Sequence, residues 1–137
     1  MLLWRSAAVI LQMLEPGAYL PHRYPFQLLD RLVCLEQGSS AQALVQVSYD
    51  SPFPQILLVE CVAQLAGIAA AHQQGEGGFL AALQRTRFGR LPRAGDCLEV
   101  SAHITATFGR LCQVSGQVTC LGDELLATEL TLGTGSF

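Results

Sequence analysis

From about Gln55 to about Gln73 the sequence runs QILLVECVAQLAGIAAAHQ, which is apolar almost all round a helical wheel. A helix with greasy residues on every side cannot lie on a surface; it has to be enclosed. Glu60 and Gln64 interrupt the stretch, so a buried helix fits better than a membrane span. Asp50-Ser51-Pro52-Phe53-Pro54 leads into it. Ser51 or Asp50 is expected to cap it, and Pro52 or Pro54 suits its first turn. Gly75-Glu76-Gly77-Gly78 is expected to end it.

The remaining sequence supplies strands to enclose that helix. Leu28 to Leu35 and Ala41 to Val47 flank Gln37-Gly38-Ser39-Ser40, which is turn chemistry, and so predict a hairpin. Phe79 to Phe88 is a further strand. From Cys97 to Phe108 the pattern alternates, with Leu98, Val100, Ala102, Ile104, Ala106 and Phe108 on one face. Glu99, Ser101, His103, Thr105 and Thr107 fall on the other. After a turn at Gly109-Arg110, an inward face follows at Cys112, Val114, Gly116, Val118 and Cys120. Gly122-Asp123 predicts another turn, and Leu126 to Leu132 a last strand. Short turns between alternating strands make an antiparallel meander. The N-terminal stretch Met1 to Leu14, apolar with Arg5 as its one charge, reads as a short packed helix ending before Pro16-Gly17. The expected architecture is a single α+β domain over residues 1–137. It is an antiparallel sheet of about six strands wrapped around one long central helix.

Composition narrows the functional classes. Half the residues are hydrophobic and 14% are charged, which suits a rich core and an apolar surface hidden in an oligomer. The formal net charge of −3 implies no general affinity for nucleic acid. Every cation is arginine, and Arg85, Arg87, Arg90 and Arg93 fall close together. They form either a solvated strand face or a contact for an anionic partner. Cys34, Cys61, Cys97, Cys112 and Cys120 show no metal-ligand spacing. They read as free buried thiols of a reducing compartment. With no convincing cleavage site after the N-terminal stretch, a cytoplasmic location is expected.

Glu60 is the candidate for chemistry. At 100° per residue Glu60, Gln64, Gly67 and Ala71 share one narrow stripe of the helix. A carboxylate there either faces water or is buried, and burial raises a carboxyl's pKa toward what a general acid needs. Backbone N–H groups near Gln55, Ile56 and Leu57, at the helix start, can polarise a carbonyl. Phe53, Gln55, Ile56 and Gln64 are the expected substrate contacts.

Three blocks carry a family likeness. Leu20-Pro21-His22-Arg23-Tyr24-Pro25-Phe26, with Leu28, Asp30 and Arg31, resembles the opening motif of the 3-hydroxyacyl-[acyl-carrier-protein] dehydratases. Leu57-Leu58-Val59-Glu60, Ala63-Gln64 and Gly67-Ile68 resemble that family's helix. Arg87-Phe88, Arg90-Leu91-Pro92 and Gly95-Asp96 resemble its third block. The blocks keep their order from about Leu20 to about Leu132. The resemblance implies a hotdog fold and a dimer, and acyl thioesters carried on the phosphopantetheine of an acyl carrier protein or of CoA, with no other cofactor. It implies fatty-acid or polyketide-type metabolism. In that family a histidine removes the C2 proton, a carboxylic acid protonates the departing 3-hydroxyl, and the two come from opposite subunits. Glu60 maps onto the acid. Arg85, Arg87, Arg90 and Arg93 would suit the acidic surface of a carrier protein.

The resemblance breaks before the helix. The family carries its histidine there in an H-F-P-G segment; this chain has Asp50-Ser51-Pro52-Phe53-Pro54-Gln55, a loop shorter by about ten residues (a comparison of typical connection lengths). His22 belongs to the opening motif and suits a structural hydrogen bond better than catalysis. His72 falls at the far end of the helix, and His103 on the polar face of a strand. Three readings follow. The chain is a dehydratase that takes its base from His22, from Asp50 or from a partner chain, including a histidine-bearing paralogue. Alternatively it is an acyl thioesterase using Glu60, or a non-catalytic acyl-thioester-binding subunit.

Overall fold

The computed structural model describes residues 10–14, 28–50, 53–71 and 77–135. Strands β1 (Ile10–Leu14), β2 (Arg31–Glu36) and β3 (Ser40–Gln46) precede the helix α1 (Ile56–Ala70). Strands β4 (Gly77–Phe88), β5 (Cys97–Phe108), β6 (Leu111–Cys120) and β7 (Asp123–Gly135) follow it. They form one seven-stranded sheet in the order β1-β2-β3-β5-β6-β7-β4, antiparallel throughout. The sheet wraps α1, whose residues from Cys61 to Ala70 are all buried. An antiparallel sheet wrapped around one long helix is the fold class expected. The strand beyond the expected six is β1, which corrects the helix reading over Ile10 to Leu14; Met1 to Val9 lie outside the described residues. Ile10 to Leu14 instead pairs antiparallel with β2, at the open edge of the sheet. An edge that offers unpaired backbone groups can recruit a short apolar run whose own preference is helical.

The hairpin of β2 and β3 closes one end of the helix. Gln37 donates from Nε2 to the carbonyls of Ile68 (2.7 Å) and Ala71 (2.6 Å), and the Gly38 N–H donates to the carbonyl of Ala69. These are carbonyls that a helix end leaves without partners. That is why α1 stops at Ala70, short of the Gly75–Gly78 run expected to end it. Gly116 on β6 lets the helix approach closely, since a Cβ there would collide with Val62 Cγ1.

The alternation of β5 holds from Leu98 to Ile104, which packs against the core, and then fails. The register slips between Ile104 and Ala106, so that Thr107 comes opposite the buried Cys112 and Phe108 opposite Leu111. Thr107 Oγ1 lies 3.9 Å from Cys112 Sγ, although Thr107 itself is exposed. Phe108 and Leu111 turn outward and are 63% and 45% exposed. The extra residue of a bulge breaks the alternation beyond it, which overturns the inward assignment of Phe108; Ala106, opposite the exposed Gln113, is half-buried. Cys97 is exposed rather than buried; the other four cysteines are buried and all five are free.

Candidate active site

Glu60 and Gln64, one turn apart, do share a face, and that face is not turned to open water. Gln64 is only 2% exposed and Glu60 is half-buried. A buried amide needs partners for both of its ends. Its Oε1 accepts the backbone N–H of Leu28 at 3.0 Å, and its Nε2 donates to Glu60 Oε2 at 3.1 Å. The first bond fixes the second. A backbone N–H can only donate, so the oxygen of the amide must face Leu28 and the nitrogen must face Glu60. Oε2 of Glu60 is therefore the acceptor in this pair. Gln64, expected as a substrate contact, is seen instead holding the carboxylate. Cys61 beside it is no nucleophile: burial pushes its thiol well above the ordinary range, with Glu60 and Asp30 adding to the shift.

The helix start is more open. Its N-cap is Gln55, with no side-chain cap; Asp50 does not fill that role, and Ser51 and Pro52 lie outside the described residues. The Leu57 N–H is taken by the carbonyl of Pro54 and that of Leu58 by Gln55, which removes Leu57 from the expected carbonyl-polarising donors. Ile56 is 60% exposed, and Phe53 packs part-buried against the core. The side-chain amide of Gln55 donates to the carbonyl of Gly89 at 3.2 Å, tying the helix start to the end of β4. Next to this start lies a pocket of about 310 Å³, whose walls include Tyr49, Asp50, Phe53, Pro92 and Ala94. Three hydrogen bonds zip its two loops together: Val47 N–H to Asp96 O, Gly95 N–H to Val47 O, and Gln46 Nε2 to Gly95 O.

The four clustered arginines are not equivalent. Arg90 binds both Asp96 (2.9 Å) and Asp123 (3.1 Å) with its side chain only 20% exposed, so it braces the loop after β4. Arg85 pairs with Glu129 and Arg87 with Glu124, both well exposed. Arg93 is exposed, and its backbone N–H donates to Asp96. His103 is exposed on the outward face of β5, opposite Ser40. His22 and His72 lie outside the described residues.

This chain is 31% identical over 128 residues to the 3-hydroxyacyl-[acyl-carrier-protein] dehydratase FabZ of Caldicellulosiruptor saccharolyticus, covering 79% of this chain and 91% of that one. The chain belongs to the FabZ family of 3-hydroxyacyl-[acyl-carrier-protein] dehydratases. The FabZ of Caldanaerobacter subterraneus is 36% identical over 123 residues, 80% of this chain and 86% of that one. No family model matches the sequence. Among solved structures, the dehydratase heterocomplex ApeI:P from Xenorhabdus doucetiae aligns with a TM-score of 0.70 at 19% identity, over 91% of this chain and 93% of that one. The protein smu.793 from Streptococcus mutans, solved bound to acetyl CoA, aligns at 0.65 with 15% identity, over 85% and 94% of the two chains. With these neighbours the FabZ-like chain has the hotdog fold. No helix of the described residues is long and apolar enough to cross a membrane.

Proposed function

We propose that this FabZ-like protein dehydrates 3-hydroxyacyl thioesters, carried on an acyl carrier protein or CoA, in a site built between two subunits. Glu60 is the acid that protonates the departing 3-hydroxyl. The observation that carries the reading is the chain of hydrogen bonds from Leu28 through Gln64 to Glu60, which orients a carboxyl that a purely structural helix would not need. Dehydration also needs a base for the C2 proton, and the second subunit is its source. That subunit is another copy of this chain or a histidine-bearing paralogue. The sheet offers an edge for it: β4 is unpaired on its outer side, and Leu80, Leu83 and Phe88 on it stay about two-fifths exposed. Phe53 and Ile56 at the helix start line the approach of the acyl thioester, and Arg85, Arg87 and Arg93 meet the acidic carrier. No cofactor takes part beyond the phosphopantetheine arm. The protein acts in the cytoplasm.

The test is hydration of 2-enoyl thioesters, on both CoA and carrier protein, by the pure protein and by its mixtures with histidine-bearing paralogues. Loss of the conjugated enoyl absorbance, dependent on Glu60, is expected. Release of free thiol in place of hydration would transfer Glu60 to a thioesterase, and tight binding with neither reaction would make the chain an acyl-binding subunit.

A further inference from the structure

We infer that Asp50 is the catalytic base of this protein, acting on substrate held by Glu60 of a second copy of the chain. The inference rests on the dehydratase reading above and deepens it.

Asp50 stands in the loop between β3 and α1 and lines the pocket of about 310 Å³ beside Phe53, at the open start of the helix. The other described acidic side chains and the described histidine are paired or stand away from this pocket: Glu36 is exposed at the end of β2, in the hairpin that closes the far end of α1, and Glu99 is exposed on the outward face of β5. Asp30 accepts the Gln46 N–H at 2.6 Å. Asp96 and Asp123 are held by Arg90, Glu124 by Arg87 and Glu129 by Arg85. His103 is on the outward face of β5. The Asp50 backbone is fixed, its N–H donating to Ser48 Oγ at 3.0 Å, while its carboxylate has no ion-pair partner among the described residues. It is an acceptor-only group set in a concave, partly apolar wall (Tyr49, Phe53, Pro92 and Ala94), which is where an acyl thioester can expose a C2–H to it.

Within one chain the two carboxyls do not meet. Glu60 turns toward Gln64 and Leu28 and is not part of the wall that holds Asp50. In the proposed two-fold dimer the Asp50 wall of one copy meets the Glu60 face of the other, and the symmetry repeats that contact. The reaction then balances. The Asp50 carboxylate takes the C2 proton, and the C2–H electron pair becomes the second bond of C2=C3. The C3–O bond breaks with its electrons on oxygen, and that oxygen receives the proton of Glu60. The products are a 2-enoyl thioester and water. Asp50 is left protonated and Glu60 ionised, and exchange with solvent resets both. Carboxylate bases do abstract protons next to carbonyl groups when the oxyanion is stabilised.

The test is subunit complementation. The pure wild-type homodimer is assayed for enoyl-thioester hydration beside Asp50→Asn, Glu60→Gln and a co-refolded equal mixture of the two variants. Each variant alone should lose at least about 100-fold, the usual contribution of a general acid or base. In the mixture half the dimers are hybrids with one intact site of two, so activity should recover to about a quarter of wild type. That recovery also proves that both variants fold. Asp50→Asn with wild-type turnover, or a mixture as inactive as its components, overturns the inference while the dehydratase reading stands. A wild-type homodimer with no turnover also overturns it; activity appearing only with a histidine-bearing paralogue would then preserve the wider reading.

Discussion

The two ends of α1 are finished in opposite ways. At the C-terminal end, the carbonyls of Ile68, Ala69 and Ala71 are claimed by Gln37 and Gly38 of one hairpin turn. At the N-terminal end there is no side-chain cap, Ile56 stands out into solvent, and a pocket opens beside Phe53. Support comes at one remove: Gln55 holds the carbonyl of Gly89, the Gly89 N–H holds that of Leu125, and Arg90 holds Asp96 and Asp123. Even the absence of a Cβ at Gly89 serves this frame, because one would collide with the Glu124 carbonyl. The closed end fixes the helix in its wrapping. The open end and the first turns after it carry the proposed chemistry.

Substitutions at the two ends should therefore separate activity from stability. The largest effect expected is on turnover. Glu60→Gln keeps the shape of the side chain and should lower hydration of an enoyl thioester by at least about 100-fold. The thermal midpoint should move little. A variant that unfolds instead would make Glu60 part of the frame, and the contrast between the ends would fail. At the closed end the pattern inverts. Gln37→Ala orphans the partners of two hydrogen bonds at once and should cost about 1–3 kcal/mol in denaturant unfolding. Its kcat should stay close to wild type. If Gln37→Ala instead suppresses turnover at unchanged stability, the closed end is not merely structural.

How far the sequence revealed this depends on whether a local pattern was in charge. The enclosed helix was legible because no other arrangement hides apolar residues on every side of it. The span of β5 was legible because its alternation is uninterrupted as far as Ile104. The bulge near Thr105 was not, since threonine, isoleucine and alanine continue the alternation there and only pairing with β6 reveals the extra residue. Strand β1 was hidden for a similar reason: Ile10 to Leu14 becomes a strand because β2 offers it an edge. At the site, Glu60 stood out as a carboxylate in a greasy helix. The role of Gln64 did not, because it depends on a backbone N–H at Leu28, far away in sequence. The charge pattern supplied Arg90 as part of a basic cluster; only its two short ion pairs reveal it as a brace.

Acid should loosen the open end first. The Arg90 guanidinium beside Asp96 holds its carboxyl below the ordinary carboxylate value, and hydrogen bonds from Gln117 and Arg87 do the same for Glu124. A depressed carboxyl contributes stability that is full above its unfolded value, near 4. That contribution is lost as the pH falls from there through the folded value. The caps at the closed end come from an amide and a backbone N–H, which do not titrate. Amide exchange followed downward from neutral pH should show Gly95 and Val47 losing protection before Gly38 and Ala71. Simultaneous loss at both ends would mean that the brace is not what holds the open end together.

The smallest effect expected lies in the turn that carries Asp123 to Arg90. Leu121 and Gly122 both adopt positive φ, +52° and +87°, and Leu121 is 96% exposed. Two positive φ values in succession are what a two-residue hairpin of this hand requires. Leucine meets that requirement under strain, because its Cβ crowds the backbone in the left-handed region. Its side chain, almost fully in solvent, gains little burial in return. Leu121→Gly should therefore stabilise the protein by about 0.5–1 kcal/mol, the relief of strain being partly offset by the freer unfolded chain. The added stability should appear as slower amide exchange at Gly89 and Leu125, in the frame of the open end, with no change at Gly38. Destabilisation by this substitution would mean that the exposed leucine is covered in the assembled protein, and that the open end extends as far as this turn.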